Sequence, residues 1–410
     1  MDSTKRNSRV PELRFPEFEK EWEEKSFGEL YEKHNVKNDL SFGVDKIISV
    51  ANMYYKEDAN VGNEEYLRSY NVFRIGDIAY EGHKSAEYSY GRFVENTIGD
   101  GIVSHIFDVY SPLSKEHNID YWKHVINYER IMRPVLENST KQSTMMNNLI
   151  AKDFFKQRVL VPSVAEQRKI ADCLSAVDEL ISAQDQKVKL LKERKQGLMQ
   201  QLFPQNSEAT PRLRFPGFSG EWEKKLFKDI TDPAGKKNRQ NLPYERYSIS
   251  NEVGFYPQSV QFEDGGGYLK DIDCRQYIIV PPRSFAYNPA RINVGSIGYQ
   301  NLGKDVIVSS LYEVFQTRTD CIDSFLWQWF HTDIFHKMVV NVQEGGVRQY
   351  FFYEKLKECA ILLPSFQEQK KIADCLTFLD EIIASEEKIS EYLKICKKGL
   401  MQQIFPVFSK

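Results

Sequence analysis

The sequence predicts an α+β protein made of two related halves, each a mixed domain followed by a long helix. The first observation is a 43-residue segment that occurs twice, at 162–204 and 364–406, with 23 identical positions. The second is a 13-residue segment at 11–23 and 211–223, with 9 identical positions. The third is that the middles between these repeats differ from each other. The repeat period of about 200 residues is too long for a solenoid, so we expect two copies of one fold on a shared frame.

In chain order, each half opens with its short repeat and continues into a mixed middle. The middles, 24–160 and 224–362, contain strand-like and helix-like runs. Short stretches of the two middles match, as 76–80 does with 283–287 and 102–105 with 307–310, which indicates one fold with different surfaces. The strand-like runs are 46–50, 101–109, 277–280 and 306–315, and the helix-like runs are 119–136 and 323–340.

The long repeats predict helices with defined ends. Ser163 with Glu166, and again Ser365 with Glu368, has the S-x-x-E spacing of a capping box. Pro204 and Pro406 end the helices, because proline cannot continue the hydrogen-bond ladder. Apolar residues follow at alternating three- and four-residue spacings, which predicts a heptad seam.

We expect the seam to join the two helices, in either parallel or antiparallel orientation. Polar residues interrupt it at Gln184, aligned with Glu386, and at Lys195, aligned with Lys397, where they can fix register. The expected coiled-coil core is Ile170, Leu174, Val177, Ile181, Leu191 and Leu198 on the first helix and Ile372, Leu376, Leu379, Ile383, Leu393 and Leu400 on the second.

The composition is ordinary for a globular protein, with 41% hydrophobic and 28% charged residues. No run approaches the ~18 apolar residues of a membrane span, and the first residues lack an apolar signal region, so a cytoplasmic location is expected. The net charge of −3 is not typical of a nucleic-acid binder. It does not exclude one either, because the distribution of charge over the surface decides.

Motifs for catalysis are missing. The phosphate-binding pattern G-x-x-x-x-G-K-[ST] does not occur. The stretch 288–291 (NPAR) lacks the second proline and the aromatic residue of an amino-methyltransferase motif. His331 and His336 are five residues apart, which is poor spacing for two metal ligands on one helical face. We therefore expect no catalytic residue and no metal or cofactor site in this chain.

Binding chemistry is present in six polar loops, three in each half. They combine cations, amides and aromatic side chains, the groups that contact phosphates and base edges. A solvated surface loop is the alternative for each loop alone, whereas a matched set on two related domains favours DNA. The candidate DNA-binding residues are His83, Lys84, Tyr90, Arg92, Lys141 and Gln142 in the first half and Lys236, Lys237, Arg239, Asn288, Arg291, Arg348 and Gln349 in the second.

The repeated motifs resemble those of the specificity subunits of type I restriction-modification systems. The resemblance rests on P-S-x-x-E-Q-[RK]-K-I-A-D-C-L from 162 and 364, K-x-G-L-M-Q-Q-[LI]-F-P ending at 204 and 406, and L-R-F-P-x-F-x-x-E-W from 13 and 213. It covers the whole chain. It implies two pseudo-symmetric α/β target-recognition domains, at 11–160 and 211–362, separated by a long antiparallel two-helix coiled coil. The helices are expected at 161–204 and 363–406, with a linker at 205–210.

The resemblance also implies a function. Each domain would read half of a bipartite site in double-stranded DNA, and the chain would be the non-catalytic scaffold for two modification (methyltransferase) subunits and for restriction (endonuclease/translocase) subunits. Those partners would use S-adenosylmethionine, ATP and Mg, and this chain would hold none of them. The alternative is a coiled-coil assembly protein with two protein-binding domains and no role in DNA recognition.

Overall fold

The structure is a computed structural model. It describes residues 9–56, 63–143, 146–205, 208–251, 254–261, 273–342 and 350–406. The chain divides into two compact units. Unit 1 is 1–184 together with 389–410, and unit 2 is 185–388. Each unit therefore combines one mixed domain with a segment of each long helix.

Unit 1 contains short antiparallel strands and four short helices before the first long helix. Its strands are β1 (Glu23–Ser26), β2 (Tyr31–Lys33), β3 (Ile48–Ser49), β4 (Tyr54–Tyr55), β5 (Asn71–Phe73), β6 (Ile78–Glu81), β7 (Arg92–Glu95), β8 (Gly101–Val103), β9 (Val109–Pro112), β10 (Thr140–Lys141), β11 (Asn148–Leu149) and β12 (Arg158–Val161). Its helices are α1 (Phe27–Leu30), α2 (Ile119–Ile126), α3 (Glu129–Glu137), α4 (Ala151–Phe154) and the first part of α5 (Val164–Leu202).

Unit 2 repeats this pattern. Its strands are β13 (Glu223–Leu226), β14 (Thr231–Pro233), β15 (Lys236–Lys237), β16 (Tyr247–Ser250), β17 (Gly254–Pro257), β18 (Ile278–Val280), β19 (Ser284–Tyr287), β20 (Ile297–Gln300), β21 (Val306–Val308), β22 (Glu313–Thr317) and β23 (Ala360–Leu363). Its helices are α6 (Phe227–Ile230), α7 (Gln258–Gln261), α8 (Asp323–Phe330), α9 (Asp333–Val342), α10 (Tyr353–Leu356) and α11 (Phe366–Ile404), whose end belongs to unit 1.

The two units share one sheet topology. A four-stranded antiparallel sheet has the order β2-β9-β6-β7 in unit 1 and β14-β22-β19-β20 in unit 2. The first strand of each domain pairs with the last, β1 with β12 and β13 with β23. The matching stretches of the sequence lie on β6 and β19, which hold equivalent places. The prediction of two related α+β domains is thus confirmed.

Several expected elements are shorter than their sequence patterns. The helix-like run 119–136 forms α2 and α3, because Asn127 ends one helix and Tyr128 begins the next. The run 323–340 divides in the same way into α8 and α9. The strand-like runs 101–109 and 306–315 each contain two strands joined by a turn. Apolar residues occur on both sides of each break, so the sequence pattern did not show where one element ends and the next begins.

The long helices pair antiparallel in each unit. In unit 2, Lys195 of α5 lies 2.6 Å from Asp380 of α11, and Lys187 lies 2.8 Å from Glu386, so numbers rise on one helix as they fall on the other. In unit 1, the end of α11 at Ile404 shares a core with the start of α5 at Ile170. The antiparallel orientation is therefore confirmed, and the parallel alternative is wrong.

In each unit the largest hydrophobic cluster is shared by the domain and the long helices, beside smaller clusters within the domain. Phe405, just after α11, packs against Trp22 and Tyr121 of unit 1. Phe203, at the end of α5, packs in the same way against Trp222 and Phe325 of unit 2. The residues that follow each long helix thus help to close a domain core.

The two kinds of repeated motif bind each other. Arg14 of the short repeat donates two hydrogen bonds of 2.8 Å to the buried Glu166 at the start of α5. Arg214 binds Glu368 in the same way, at 2.7 and 2.8 Å. Both glutamates belong to the predicted capping boxes. Ser163 does accept from the backbone N–H of Glu166 (3.3 Å), but the glutamate side chain binds arginine instead of closing the box.

Candidate nucleic-acid interface

Three polar loops converge in unit 1, two of them neighbours in the sequence and the third about 50 residues further along. The backbone N–H of Asn147 donates to the carbonyl of Gly82 over 2.8 Å, and His83 forms a β-bridge with Met146. The side chain of Asn147 donates to the carbonyl of Ser89 over 3.1 Å. We call the segments 82–84, 88–92 and 140–147 (of which the structure describes 140–143 and 146–147) the unit 1 loop cluster. It brings together the six candidate residues of the first half.

Two glycines allow this close approach. A Cβ atom on Gly82 would lie 2.1 Å from the carbonyl oxygen of Asn147, far inside van der Waals contact. Gly91 has φ +78°, a conformation that side chains disfavour, and its Cβ would lie 2.5 Å from the carbonyl oxygen of Glu81. The loop cluster therefore depends on glycine at both positions.

The candidate residues of the loop cluster differ in whether their side chains are exposed or engaged within the protein. His83, Lys84, Lys141 and Gln142 are exposed, as expected of side chains that can reach a ligand. Arg92 is half-buried and engaged within the protein, because its Nε donates to Glu81 over 2.9 Å and its guanidinium lies over the ring of Tyr88.

Tyr90 is also engaged within the protein. Its carbonyl accepts a 2.7 Å hydrogen bond from the hydroxyl of Tyr80, and its own hydroxyl lies 3.3 Å from a carboxylate oxygen of Glu137. Burial raises the pKa of Tyr80 well above its usual value, so this hydroxyl remains a neutral donor. The side chains of Tyr90 and Arg92 thus stabilise the loops more than they are available for contact with a ligand.

In unit 2, the candidate loop that follows β19 contacts the described segment that begins at residue 350. The backbone N–H of Phe351 donates to the carbonyl of Pro289 over 3.0 Å, between the candidates Asn288 and Arg291. The side-chain oxygen of Asn288 is engaged within the protein, because it accepts a hydrogen bond from the backbone N–H of Ala290. Arg291 is exposed and lines a polar cavity of about 280 Å³.

The remaining candidates of the second half lie elsewhere or outside the described residues. Lys236 and Lys237 form β15, which pairs with β18 at the edge of another sheet, and Lys237 binds Gln276 over 2.9 Å. Arg239 is exposed two residues further along. Arg348 and Gln349 lie outside the described residues, so their role stays a prediction.

The cavity beside Arg291 contains polar groups that the sequence did not single out. Ser248 and Asn251, in and after β16, and Tyr256 on β17 line it together with the buried Ser296. None of them is a cation, and Ser248, Asn251 and Tyr256 lie 35–43 residues before Arg291 in the chain. A search for cationic loops could not find them. The local signal was the alternation of tyrosine and serine in β16 (YSIS), followed by Asn251 and by Tyr256 of β17.

The predicted seam residues fall into two groups. Leu174 and Leu376 are fully buried within the domain cores. Ile170, Ile372 and Ile383 are buried as well, whereas Val177, Ile181, Leu191, Leu198, Leu379, Leu393 and Leu400 are half-buried. A pair of helices without further cover leaves its seam partly accessible, which explains the second group.

The described parts of the chain contain no helix that is long and apolar enough to span a membrane. Within the same described ranges, no group of three His, Cys, Asp or Glu side chains could hold a metal ion.

Comparisons with known proteins agree on one family. The family model of the type I restriction modification DNA specificity domain matches residues 221–394. The MjaVIII type I restriction enzyme specificity subunit of Methanocaldococcus jannaschii is 22% identical over 285 residues, which are 66% of this chain and 66% of that protein. The putative MjaX type I restriction enzyme specificity subunit of the same organism is 21% identical over 379 residues, or 87% and 83%. Residues 221–394 are thus a type I restriction modification DNA specificity domain, and the chain as a whole is similar to type I restriction enzyme specificity subunits.

A solved structure shows that the fold is shared. The crystal structure of an S subunit of a type I restriction-modification system from M. genitalium matches this specificity subunit with a TM-score of 0.57 and 12% identity, over 98% of this chain and 100% of that one. The resemblance seen in the repeated motifs is confirmed. The function is that of a DNA specificity subunit, and the alternative of an assembly protein without a DNA role is not favoured.

Proposed function

We propose that this specificity subunit reads a bipartite DNA site, one half with the domain of unit 1 and the other with the domain of unit 2. The observation that carries the proposal is one sheet topology with two different sets of exposed loops. The five segments named from the sequence (11–160, 161–204, 205–210, 211–362 and 363–406) remain our division of the chain into recognition domains, helices and linker.

The unit 1 loop cluster supports this function by its chemistry. Lys84 and Lys141 can neutralise phosphates, and Gln142 can pair with the edge of adenine in the major groove. His83 adds a ring with two nitrogen atoms beside them. In unit 2, Arg291 can bind a phosphate or guanine, with the polar cavity next to it. Both sets lie on loops held by a sheet, as binding residues usually do.

We further propose that the chain has no catalytic site and assembles with two modification subunits and with restriction subunits. Large apolar side chains on the long helices support docking of partners, because such exposure marks interaction surfaces. They include Leu190 and Phe378 in unit 2 and Ile389, Tyr392 and Ile395 in unit 1, which are 44–65% exposed. The partners would supply S-adenosylmethionine, ATP and Mg chemistry. Since the substrate is DNA, we place the chain in the cytoplasm.

A domain exchange tests the function. Residues 224–362 are replaced by the corresponding segment of another specificity subunit, and the variant is expressed with the modification subunits. Methylome sequencing should show a change in one half of the methylated site and none in the other, because each domain has its own loops. If both halves changed, or neither did, independent reading by two domains would be disproved.

Single substitutions test the unit 1 loop cluster. Lys141→Ala should lower affinity for all sequences and reduce the salt dependence by about one ion, as loss of a phosphate contact does. Gln142→Ala should cost about 1–3 kcal/mol and relax preference at one base pair. The control is Lys152→Ala, an exposed lysine of unit 1 on α4. Affinity is measured with the modification subunits present, and equal effects at Lys141 and Lys152 would remove the loop from the site.

A further inference from the structure

Two matching ion pairs join the long helices, one within each unit. In unit 2, Nζ of Lys195 on α5 lies 2.6 Å from Oδ1 of Asp380 on α11. In unit 1, Nζ of Lys397 on α11 lies 2.5 Å from Oδ1 of Asp178 on α5. The lysine is on α5 in unit 2 and on α11 in unit 1, and the aspartate is on the other helix each time, so the same interaction occurs twice. The lysines are the polar residues that interrupt the heptad seam, and the structure identifies the aspartates as their partners.

Each aspartate also faces the domain of its own unit. Gln328 of α8 is 1% exposed, and its Nε2 donates to Oδ2 of Asp380 over 2.8 Å. His124 of α2 takes the equivalent place in unit 1, with Nε2 at 3.9 Å from Oδ2 of Asp178. Asp380 therefore connects both long helices to a helix of the recognition domain by hydrogen bonds, whereas His124 faces Asp178 without a hydrogen bond.

We propose that Asp178 and Asp380 are positioning residues, which set the register of the antiparallel helices and the orientation of each recognition domain on them. The inference goes beyond the proposed function and rests on it only where DNA methylation is the readout. The lysines and the domain side chains act through these carboxylates.

Sliding of the helices shows why the carboxylate selects one register. At present Asp380 of α11 pairs with residue 195 of α5. If α11 moved by one heptad in either direction, Asp380 would lie opposite Val188 or Leu202, both of which are buried. A carboxylate against a buried aliphatic side chain is strongly disfavoured. The aliphatic positions of the seam resist sliding less, because one aliphatic residue replaces another.

The exposure of the pairs points to specificity more than to stability. The lysine side chains are 15% and 23% exposed and the aspartates 42% and 40%. Pairs of this kind contribute little to stability on average. A slip of seven residues, however, would move one helix by about 10 Å, which corresponds to about three base-pair steps of DNA. If the helices set the distance between the two recognition domains, register would therefore control the spacer between the half-sites.

The test exchanges charges in the full chain, expressed with its modification subunits. Lys195→Asp places two carboxylates face to face and should lower methylation of the normal site about tenfold or more, or admit sites with a changed spacer. Adding Asp380→Lys restores the pair and should restore site and rate. The double variant Lys195→Asp with Asp178→Lys has the same amino-acid composition as the reciprocal exchange but breaks both ion pairs. It should therefore not restore the methylated site or the rate. Lys192→Glu, opposite the exposed Glu387, is the matched control.

Two further variants keep the test decisive if Lys195→Asp fails to fold. Asp380→Asn preserves size and should still weaken selection of the spacer, and His124→Gln should give unit 1 the amide contact of unit 2 without changing the site. The proposal is overturned if the reciprocal exchange is no better than the mismatched one, or if Asp380→Asn keeps the normal spacer and rate. If the wild-type complex methylated no bipartite site, the proposed function would fail, and the register of α5 against α11 in crystal structures of the same variants would still test the pairs.

Discussion

Truncation of Leu376 to alanine tests whether the domain of unit 2 and helix α11 form one cooperative core. Leu376 is 0% exposed in a cluster that also contains Phe203, Trp222 and Phe325. Removing a leucine side chain from such a site costs about 2–5 kcal/mol, including the cavity that remains. With unit 2 covering 185–388, 1 kcal/mol shifts the midpoint of thermal unfolding by about 2–4 °C. A loss of about 3 kcal/mol should therefore lower it by about 6–12 °C.

The assay is thermal unfolding of the full chain, combined with hydrogen exchange of backbone amides. In Leu376→Ala, exchange should accelerate in β19 and β20 as well as in the first turns of α11, because they open together. Leu190→Ala is the control: this leucine of the same unit is 56% exposed, and its loss should change stability by no more than about 0.5 kcal/mol. If exchange accelerated in α11 alone, the domain would have a core independent of the helix and the reasoning would be refuted.

Three smaller perturbations probe other parts of the chain. Gly82→Ala should disrupt the unit 1 loop cluster, because the new Cβ would collide with the carbonyl of Asn147, and methylation should lose selectivity in one half-site while the circular dichroism spectrum stays unchanged. Gly197→Ala should stabilise α5 by about 0.5–1 kcal/mol, since nothing lies within 4 Å of the added atom; a lower unfolding midpoint would contradict this. Burial, then the charge of Lys397, lowers the pKa of His124 to about 4. Between pH 6.5 and 4 the unfolded chain thus takes up a proton that the folded chain does not, so stability falls as pH falls. His124→Gln should remove that part of the dependence, and parallel stability–pH curves for variant and wild type would refute it.

The frame of the molecule was predictable from the sequence because its signals are local. Serine caps, helix-ending prolines and alternating apolar spacings predicted two long helices ending before Pro204 and Pro406, and the structure has them at Val164–Leu202 and Phe366–Ile404. The repeats predicted two domains of one fold. None of these inferences required knowledge of which residues meet across the chain.

The candidate site was only partly predictable, because contact decides which polar residue is available. Arg92 has the sequence surroundings of a DNA-binding cation. It forms an ion pair with Glu81, however, which lies opposite it in the pairing of β6 with β7. Asp178 and Asp380 look like ordinary surface residues of a helix. Their lysine partners lie 219 and 185 positions away, so sequence spacing alone could not identify the pairs.

The comparison of the two units shows which interactions the fold preserves while its surfaces change. Asn96, after β7, donates to the carbonyls of Phe73 and Gly99. Gln300 closes β20 and donates in the same way to Val280 and Lys304. A different amide therefore satisfies equivalent backbone groups in each unit, as burial of carbonyls requires.

Nearby positions did change their chemistry. The turn before β6 uses Gly76 with φ +87°, whereas the turn before β19 uses Arg283 with φ +61°, a strained conformation for a side-chain-bearing residue. The guanidinium of Arg283 binds Asp323 over 3.1 Å. Because the bonds that hold the sheets lie within each unit, one unit can exchange such residues without affecting the frame of the other. That independence is what two unlike half-sites require of a single chain.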